Sequence, residues 1–232
     1  MDFDLLVHEA WPAYDQQPLD GWILRHAGGV TKRANSVLAL SAPADLDGAI
    51  AAAEAFYAER GERCVFSIGP GTPVGLDGEL ASRGYELVDP TVIMAATPGD
   101  LEPAHEVRVE DRPWPGWLKT WWSVDGRYEL GVEAAVRICA GVPAWYAAFE
   151  EDGVALAVGR GVPQGDTLGI YCMATLPQAR RRGLARSVLR ALVRRSGART
   201  AYLCTTARNE AAQALYRSEG FELRGHYHYR LR

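Results

Sequence analysis

The chain has 232 residues, 48% hydrophobic and 23% charged, with a formal net charge of -4. That length holds one large domain or two small ones, and the composition is that of a soluble globular protein. No apolar run approaches the roughly 18 residues of a membrane span, "MDFDLLVHEA" lacks the basic start of a signal peptide, and Cys64, Cys139, Cys172 and Cys204 are too scattered for a disulfide or zinc framework. The expectation is a reduced, cytoplasmic protein, with no metal and no membrane partner.

The charge is uneven. Residues 1–104 carry 16 Asp and Glu against 6 Lys and Arg, a net of -10, while residues 105–232 carry 13 against 19, a net of +6. Either the second half binds a polyanionic ligand or two oppositely charged surfaces attract each other, and both can hold at once.

In chain order, the first half ends on "AERGERCVFSIGPG" and "LASRGYEL", and the second half ends on the similar "RRSGARTAYLCTTA" and "YRSEGFEL". One offset of 136 superimposes Gly61 on Gly197, Arg63 on Arg199, Gly84 on Gly220, Tyr85 on Phe221, Glu86 on Glu222 and Leu87 on Leu223. This reads as two copies of one fold, joined near "TPGDLEP" at residues 97–103, whose Pro and Gly suit a linker. "RPWPGWLKTWWSVDGRY" follows; its Trp114, Trp117, Trp121, Trp122 and Tyr128 either line a pocket or fill the seam between the halves. "AWYAAFEED" and "GVALAVGRG" form a hairpin, and "TLGIYCMATLP" is a nearly unbroken apolar strand. A helix from about Gly183, the strand "RTAYLCTTA", a helix from Asn209 and the terminal strand "FELRGHYHYRLR" complete the chain. Strand–helix–strand order argues for parallel pairing and an α+β fold with an α/β-type mixed sheet.

Arg180, Arg181, Arg182, Arg186, Arg190, Arg194 and Arg195 fall within the twenty residues "QARRRGLARSVLRALVRRSG". The run contains Arg180-x-x-Gly183-x-Ala185, directly after a strand and opening a helix. A helix N-terminus offers unpaired N–H groups and about half a positive charge, so it attracts phosphate. Gly183 lets the backbone approach closely, and Arg180, Arg181, Arg182 and Arg186 can add donors around a pyrophosphate. Arg190, Arg194 and Arg195 lie too far along the helix and read as a solvated face opposite Leu184, Val188 and Leu192. Nucleic acid is a poor partner for a chain of pI near 5.8 without basic patches elsewhere.

"MATLPQARRRGLARSVLRAL", followed by "NEAAQALYRSEGFE", resembles the GNAT superfamily of acyl-CoA-dependent N-acetyltransferases. The likeness covers roughly residues 105–232, and the repeat resembles the two-copy members, in which one copy commonly loses cofactor binding. It implies two tandem GNAT-like domains: residues 1–100 degenerate and 104–232 catalytic. It further implies transfer of an acetyl group from acetyl-CoA, as co-substrate, to a primary amine of a small molecule, peptide or protein, by direct attack. The alternative is a catalytically inactive acyl-CoA-binding sensor or scaffold. A monomer or homodimer is expected. By the same resemblance, the turn of Arg180, Arg181, Arg182, Gly183, Leu184, Ala185 and Arg186 cradles the pyrophosphate. The preceding strand is bulged, Met173 and Thr175 pair with the pantetheine arm through their main chains, and an N–H near Met173 or Ala174 polarises the thioester carbonyl.

Asn209 is an N-cap, a cofactor neighbour, or both. Tyr216 matches the family's proton donor, and otherwise is a core aromatic. Where many relatives carry a basic Glu, this chain has Gly169. Tyr171 holding a water, Glu150, Glu151, His226 and His228 remain candidates for that role, and none is assigned. In the first copy the offset puts Asp47 on Gly183, Leu80 on Tyr216 and Pro73 on Asn209, with Asp45 and Asp47 repelling phosphate. That copy is expected to be silent, covering sheet edges or walling the acceptor pocket.

Overall fold

In "LDGAIAAAEAFYA" the apolar residues recur on one helical face, so a helix forms and buries Ala49, Ile50, Ala53, Phe56 and Tyr57. A computed structural model describes residues 1–99, 101–126 and 130–232 and resolves two compact units. Unit 1 takes Met1–Val92 and Gly225–Arg232, and unit 2 takes Ile93–Arg224.

Unit 1 runs α1 (Phe3–Ala10), β1 (Asp15–Leu19), β2 (Trp22–His26), β3 (Val37–Ala39), α2 (Leu46–Ala58), β4 (Val65–Ile68), α3 (Leu76–Ser82) and the start of β5 (Glu86–Ala96). Its strand order is β1-β2-β3-β4, completed by the end of β11 (Glu222–Leu231), which pairs antiparallel with β4 from His228↔Ile68 to Leu231↔Val65. Edge-on contacts of Phe66 with Trp22 and Tyr85, at 5.4 and 5.5 Å between ring centroids, knit its core.

Unit 2 holds β6 (Arg108–Glu110), α4 (Pro115–Asp125), α5 (Val132–Cys139), β7 (Trp145–Glu151), β8 (Val154–Gln164), β9 (Thr167–Thr175), α6 (Leu184–Ser196), β10 (Thr200–Thr206) and α7 (Glu210–Ser218). The order is β5-β10-β9-β8-β7-β6, with β9–β10 parallel and β6–β7, β7–β8 and β8–β9 antiparallel. The hairpin β7–β8 turns through Asp152 and Gly153, both at positive φ, as a tight two-residue turn demands. Leu184, Val188, Leu189 and Leu192 are at most 1% exposed on the inner face of α6, each burial contributing about 1.5–3 kcal/mol before chain entropy is counted. α6 packs on β8, where a Cβ on Gly159 would stand 2.5 Å from Met173 Sδ and 2.8 Å from Val188 Cγ1.

The offset of 136 relates elements as well as residues. Shifted by 136, α2, β4, α3 and β5 fall on α6, β10, α7 and β11. The matched terminal strands are exchanged: Gly225–Leu231 of β11 finishes unit 1, and Ile93–Ala96 of β5 belongs to unit 2. The units therefore divide the chain at Val92 and Arg224, while the Pro- and Gly-bearing stretch at 97–103 lies within unit 2.

Candidate functional site

The apolar strand β9 does not run straight. Its register on β8 steps from Val158↔Ala174 to Arg160↔Tyr171, so β9 carries one extra residue, a bulge at Cys172 and Met173. Cys172 has φ +53°, a left-handed backbone rare outside glycine. On its other side β9 follows β10 only from Thr167↔Thr200 to Ile170↔Leu203, so among the described residues the β9–β10 ladder stops before Tyr171–Thr175. Main-chain groups at Met173, Ala174 and Thr175 thus lie where the sheet opens.

Past β9 comes a 3₁₀ turn, Pro177–Ala179, then Arg180 in extended backbone, Arg181 at φ +65° and Gly183 at φ +78° as the N-cap of α6. Left-handed residues alternating with ordinary ones turn successive N–H groups to one side, a concavity that suits an anion. No side chain caps α6, and its first turn holds no acid. Its first N–H groups are left for a ligand. α2 is built oppositely: Asp45 Oδ1 accepts the N–H of Gly48 at 3.0 Å, and Asp47 adds a second negative charge in the first turn and pairs with Arg83.

Fewer arginines face the turn than the sequence suggests. Arg182 donates both Nη atoms to Glu151, at 3.1 and 2.6 Å, while its carbonyl lies 3.2 Å from His105 Nε2. Arg186 Nε stands 2.7 Å from Glu219 Oε1, and its Nη2 donates to Ser218 Oγ at 2.9 Å. Arg190 also pairs with Glu219, and Arg194 with Glu102, so these two distal arginines are partnered rather than merely solvated, while Arg195 lies over the Trp145 ring at 5.5 Å. Arg180 donates only to the Thr175 carbonyl, at 3.4 Å, and Arg181 makes no side-chain hydrogen bond or ion pair among the described residues. Arg180 and Arg181 are the exposed cations available at this turn.

Asn209 caps α7, its Oδ1 accepting the N–H of Ala212 at 3.2 Å. Tyr216, 6% exposed, packs at 6.0 Å from the Phe221 ring, and burial pushes its hydroxyl up to about 12. Its hydroxyl makes no hydrogen bond among the described residues, and it stays protonated across the neutral range.

The candidates for a base separate clearly. A Cβ on Gly169 would meet Tyr171 Cε2 at 2.6 Å and the Tyr202 hydroxyl at 2.9 Å, so aromatic groups occupy the space of the missing glutamate. The Tyr171 and Tyr202 hydroxyls are 2.5 Å apart, and Tyr202 donates to Gln164 Oε1 at 2.8 Å. The hydrogen bonds from Arg182 hold Glu151 below the usual carboxylate range, which makes it a poor base. Glu150 accepts from Trp114 Nε1 at 2.8 Å. His226 and His228 lie on the segment that belongs to unit 1, where His228 meets Asp77 Oδ1 at 2.9 Å.

Trp117 and Trp121 are core residues of unit 2. The Trp117 ring stands edge-on to Tyr146 at 5.0 Å, and its Nε1 donates to the carbonyls of Ala147 and Gly159. Tyr128 lies outside the described residues.

The family model "Probable histone acetyltransferase Rv0428c C-terminal" matches residues 6–231. The chain belongs to this family. The match spans nearly the whole chain, so both halves are part of what defines the family. A curated relative, "Uncharacterized N-acetyltransferase YobR" of Bacillus subtilis (strain 168), is 27% identical over 239 residues, covering 98% of this chain and 96% of that one. The solved GCN5-related N-acetyltransferase from Kribbella flavida superimposes with a TM-score of 0.70 at 17% identity, over 94% of this chain and 89% of that one. A "Tandem GNAT protein from the clavulanic acid biosynthesis pathway" does so with a TM-score of 0.61 at 11% identity, over 80% and 69%. The mixed α/β fold is that of GNAT N-acetyltransferases. No helix among the described residues is long and apolar enough to cross a membrane, and no group of three or more His, Cys, Asp or Glu there can hold a metal ion.

Proposed function

We propose that the protein is a two-copy GNAT enzyme, with residues 1–100 and 104–232 as its copies, that transfers the acetyl group of acetyl-CoA to a primary amine at one site in the second copy. The observation that carries this reading is the contrast between matched helices. α6 opens uncapped behind two left-handed residues and beside a bulged strand, whereas α2 spends its N-terminus on Asp45 and adds Asp47. A pyrophosphate fits the first and is repelled by the second.

In this reading the N–H groups of Gly183, Leu184, Ala185 and Arg186 bind the pyrophosphate, helped by the side chains of Arg180 and Arg181. Arg182 serves through its main chain, because its guanidinium is spent on Glu151. The bulge at Cys172–Met173 aims an N–H of Met173 or Ala174 at the thioester carbonyl, and Thr175 holds the pantetheine arm. Asn209 fixes the start of α7 beside it. A neutral amine attacks the carbonyl carbon, the C–S bond breaks, Tyr216 protonates the departing thiolate, and the amine proton leaves through water near Tyr171. The family's description names a probable histone acetyltransferase, which places lysine-bearing peptides among the acceptors to be tried.

The test is release of free thiol from acetyl-CoA across a panel of small amines and lysine peptides, alongside calorimetry of acetyl-CoA binding. One bound acetyl-CoA per chain and turnover on at least one amine are expected. Binding without transfer to any amine would make the protein an acyl-CoA sensor instead, and no binding would remove the proposal altogether.

A further inference from the structure

The stretch before β6 crosses α6 within unit 2 and reaches its N-terminus. Arg190 Nη1 donates to the Glu102 carbonyl at 3.0 Å, and Arg194 pairs with the Glu102 carboxylate. His105 follows three residues later. Three extended residues span about 10 Å, and α6 rises about 10 Å from Gly183 to Arg190, so a strap anchored at Glu102 is long enough to set His105 at the opening turn. There His105 Nε2 lies 3.2 Å from the Arg182 carbonyl, and a Cβ on Gly183 would stand 3.9 Å from that nitrogen. A carbonyl oxygen only accepts, so Nε2 carries the hydrogen and donates.

Arg182 is held at its other end too. Its guanidinium donates to Glu151, the last residue of β7, at 3.1 and 2.6 Å, and lies 5.9 Å from the centroid of the Phe149 ring. The His105 ring stands edge-on to that same Phe149 at 5.2 Å. His105, Phe149 and Glu151 therefore grip one residue by its main chain and its side chain. None of the three entered the account of the pyrophosphate as a group that shapes the turn.

We propose that His105 is a positioning residue for the pyrophosphate: by fixing the Arg182 carbonyl it turns the Gly183 N–H toward the anion. The inference rests on the acetyl-CoA reading above. The C=O of one residue and the N–H of the next share one rigid plane and point in opposite directions. With the Arg182 carbonyl tied to the strap, the Gly183 N–H faces away from it, and that N–H makes no main-chain hydrogen bond among the described residues. Arg181 at φ +65° and Gly183 at φ +78° flank this peptide, and a glycine has no Cβ to hinder its rotation. His105 removes that freedom before the ligand arrives, so the cost of ordering the turn is not subtracted from binding.

The experiment compares His105→Phe, which keeps a ring beside Phe149 and removes the donor, with His105→Gln, which keeps an N–H. Both are assayed with acetyl-CoA and acetyl-3′-dephospho-CoA, which carry the pyrophosphate, and with S-acetylpantetheine, which lacks it. We expect His105→Phe to bind the first two about tenfold more weakly, as loss of one hydrogen bond to a charged group predicts, with KM raised and kcat nearly unchanged. S-acetylpantetheine should be used as well as by the wild type, and His105→Gln should restore the other two. Equal losses on all three donors, or the same behaviour in both variants, overturn the proposal. His105→Ala, read by the same ratio, replaces His105→Phe if that variant does not fold. If the wild type binds no acetyl-CoA, the proposed function fails, and ¹⁵N relaxation of the free proteins still judges the positioning. Loss of order at the Gly183 amide in His105→Phe but not in His105→Gln supports it, and equal order in all three proteins sinks it.

Discussion

Glu219 receives two hydrogen bonds from Arg190, at 2.7 and 3.1 Å, and its carboxylate side chain is only 5% exposed. Arg186 stands on the same carboxylate, so one acid just past α7 neutralises two arginines of α6. Glu219→Ala removes the acid that both arginines share, but those guanidiniums keep water, their side chains being 42% and 23% exposed, so the loss by urea unfolding is expected to be about 1 kcal/mol. Arg181→Ala, at an exposed position, is expected to leave the unfolding midpoint within error while weakening acetyl-CoA binding about tenfold, as loss of a charge-assisted bond predicts. If the two variants behaved alike, the division of the arginines between scaffold and ligand would be wrong.

That division marks how far the sequence could be read. Gly183 and Asn209 stand where punctuation by glycine and a capping residue put them, and helices and strands of the two halves fall at corresponding positions under the offset of 136. The partners of Arg182, Arg186 and Arg190 were not legible, because Glu151 and Glu219 sit 31, 33 and 29 residues away and ion pairing leaves no periodic trace. The exchange of β5 and β11 was hidden for a related reason. Strands β5 and β11 carry similar patterns, so pattern alone does not say which unit each one completes. The left-handed backbone of Cys172 was hidden too, because a bulge at non-glycine residues has no composition signal.

Gly183 offers a test of charge largely separate from strain. Asn and Asp both tolerate the left-handed backbone better than other side chains, and a Cβ there would have His105 Nε2 as its nearest neighbour, at 3.9 Å. Gly183→Asn is therefore the control for Gly183→Asp. At about 4 Å a like charge costs up to ~4 kcal/mol at surface dielectric, so the aspartate should weaken acetyl-CoA roughly 10²-fold or more beyond the asparagine. Calorimetry giving equal affinities for the two variants would remove the pyrophosphate from this turn.

His8 in unit 1 predicts an acid sensitivity unrelated to the site. Its Nδ1 is buried without a hydrogen-bond partner among the described residues, and burial, reinforced by the Arg25 charge, lowers the ring to about 4 from 6.5. Above pH 6.5 both folded and unfolded forms are neutral and the residue is silent. Between 6.5 and 4 the unfolded chain binds a proton that the folded one refuses, so stability falls as pH falls through that window. His8→Gln, which does not titrate, should flatten the urea midpoint between pH 7 and 4.5. A wild-type midpoint constant over that range would show that the ring is protonated in the folded state.

Tyr216→Phe separates an acid from a core aromatic. The change removes one hydroxyl that makes no hydrogen bond among the described residues and keeps the ring against Phe221, so the fold should survive with little loss. If Tyr216 protonates the departing thiolate, kcat should fall by roughly the 10²–10⁴-fold typical of general acid–base groups. Acetyl-CoA affinity should hardly move, because the lost contact is made mainly in the transition state. The pH profile adds a second check with a definite sign. Burial raises Tyr216 to about 12 from its usual 10, so the donor stays protonated and the wild-type rate should show no alkaline fall from this group near pH 10. Above pH 10 the unfolded tyrosine ionises first, so stability rather than chemistry should set the alkaline limit. The measurements are kcat, acetyl-CoA affinity and the alkaline limb for both proteins on one amine. Equal kcat would take Tyr216 out of the mechanism and leave it as packing.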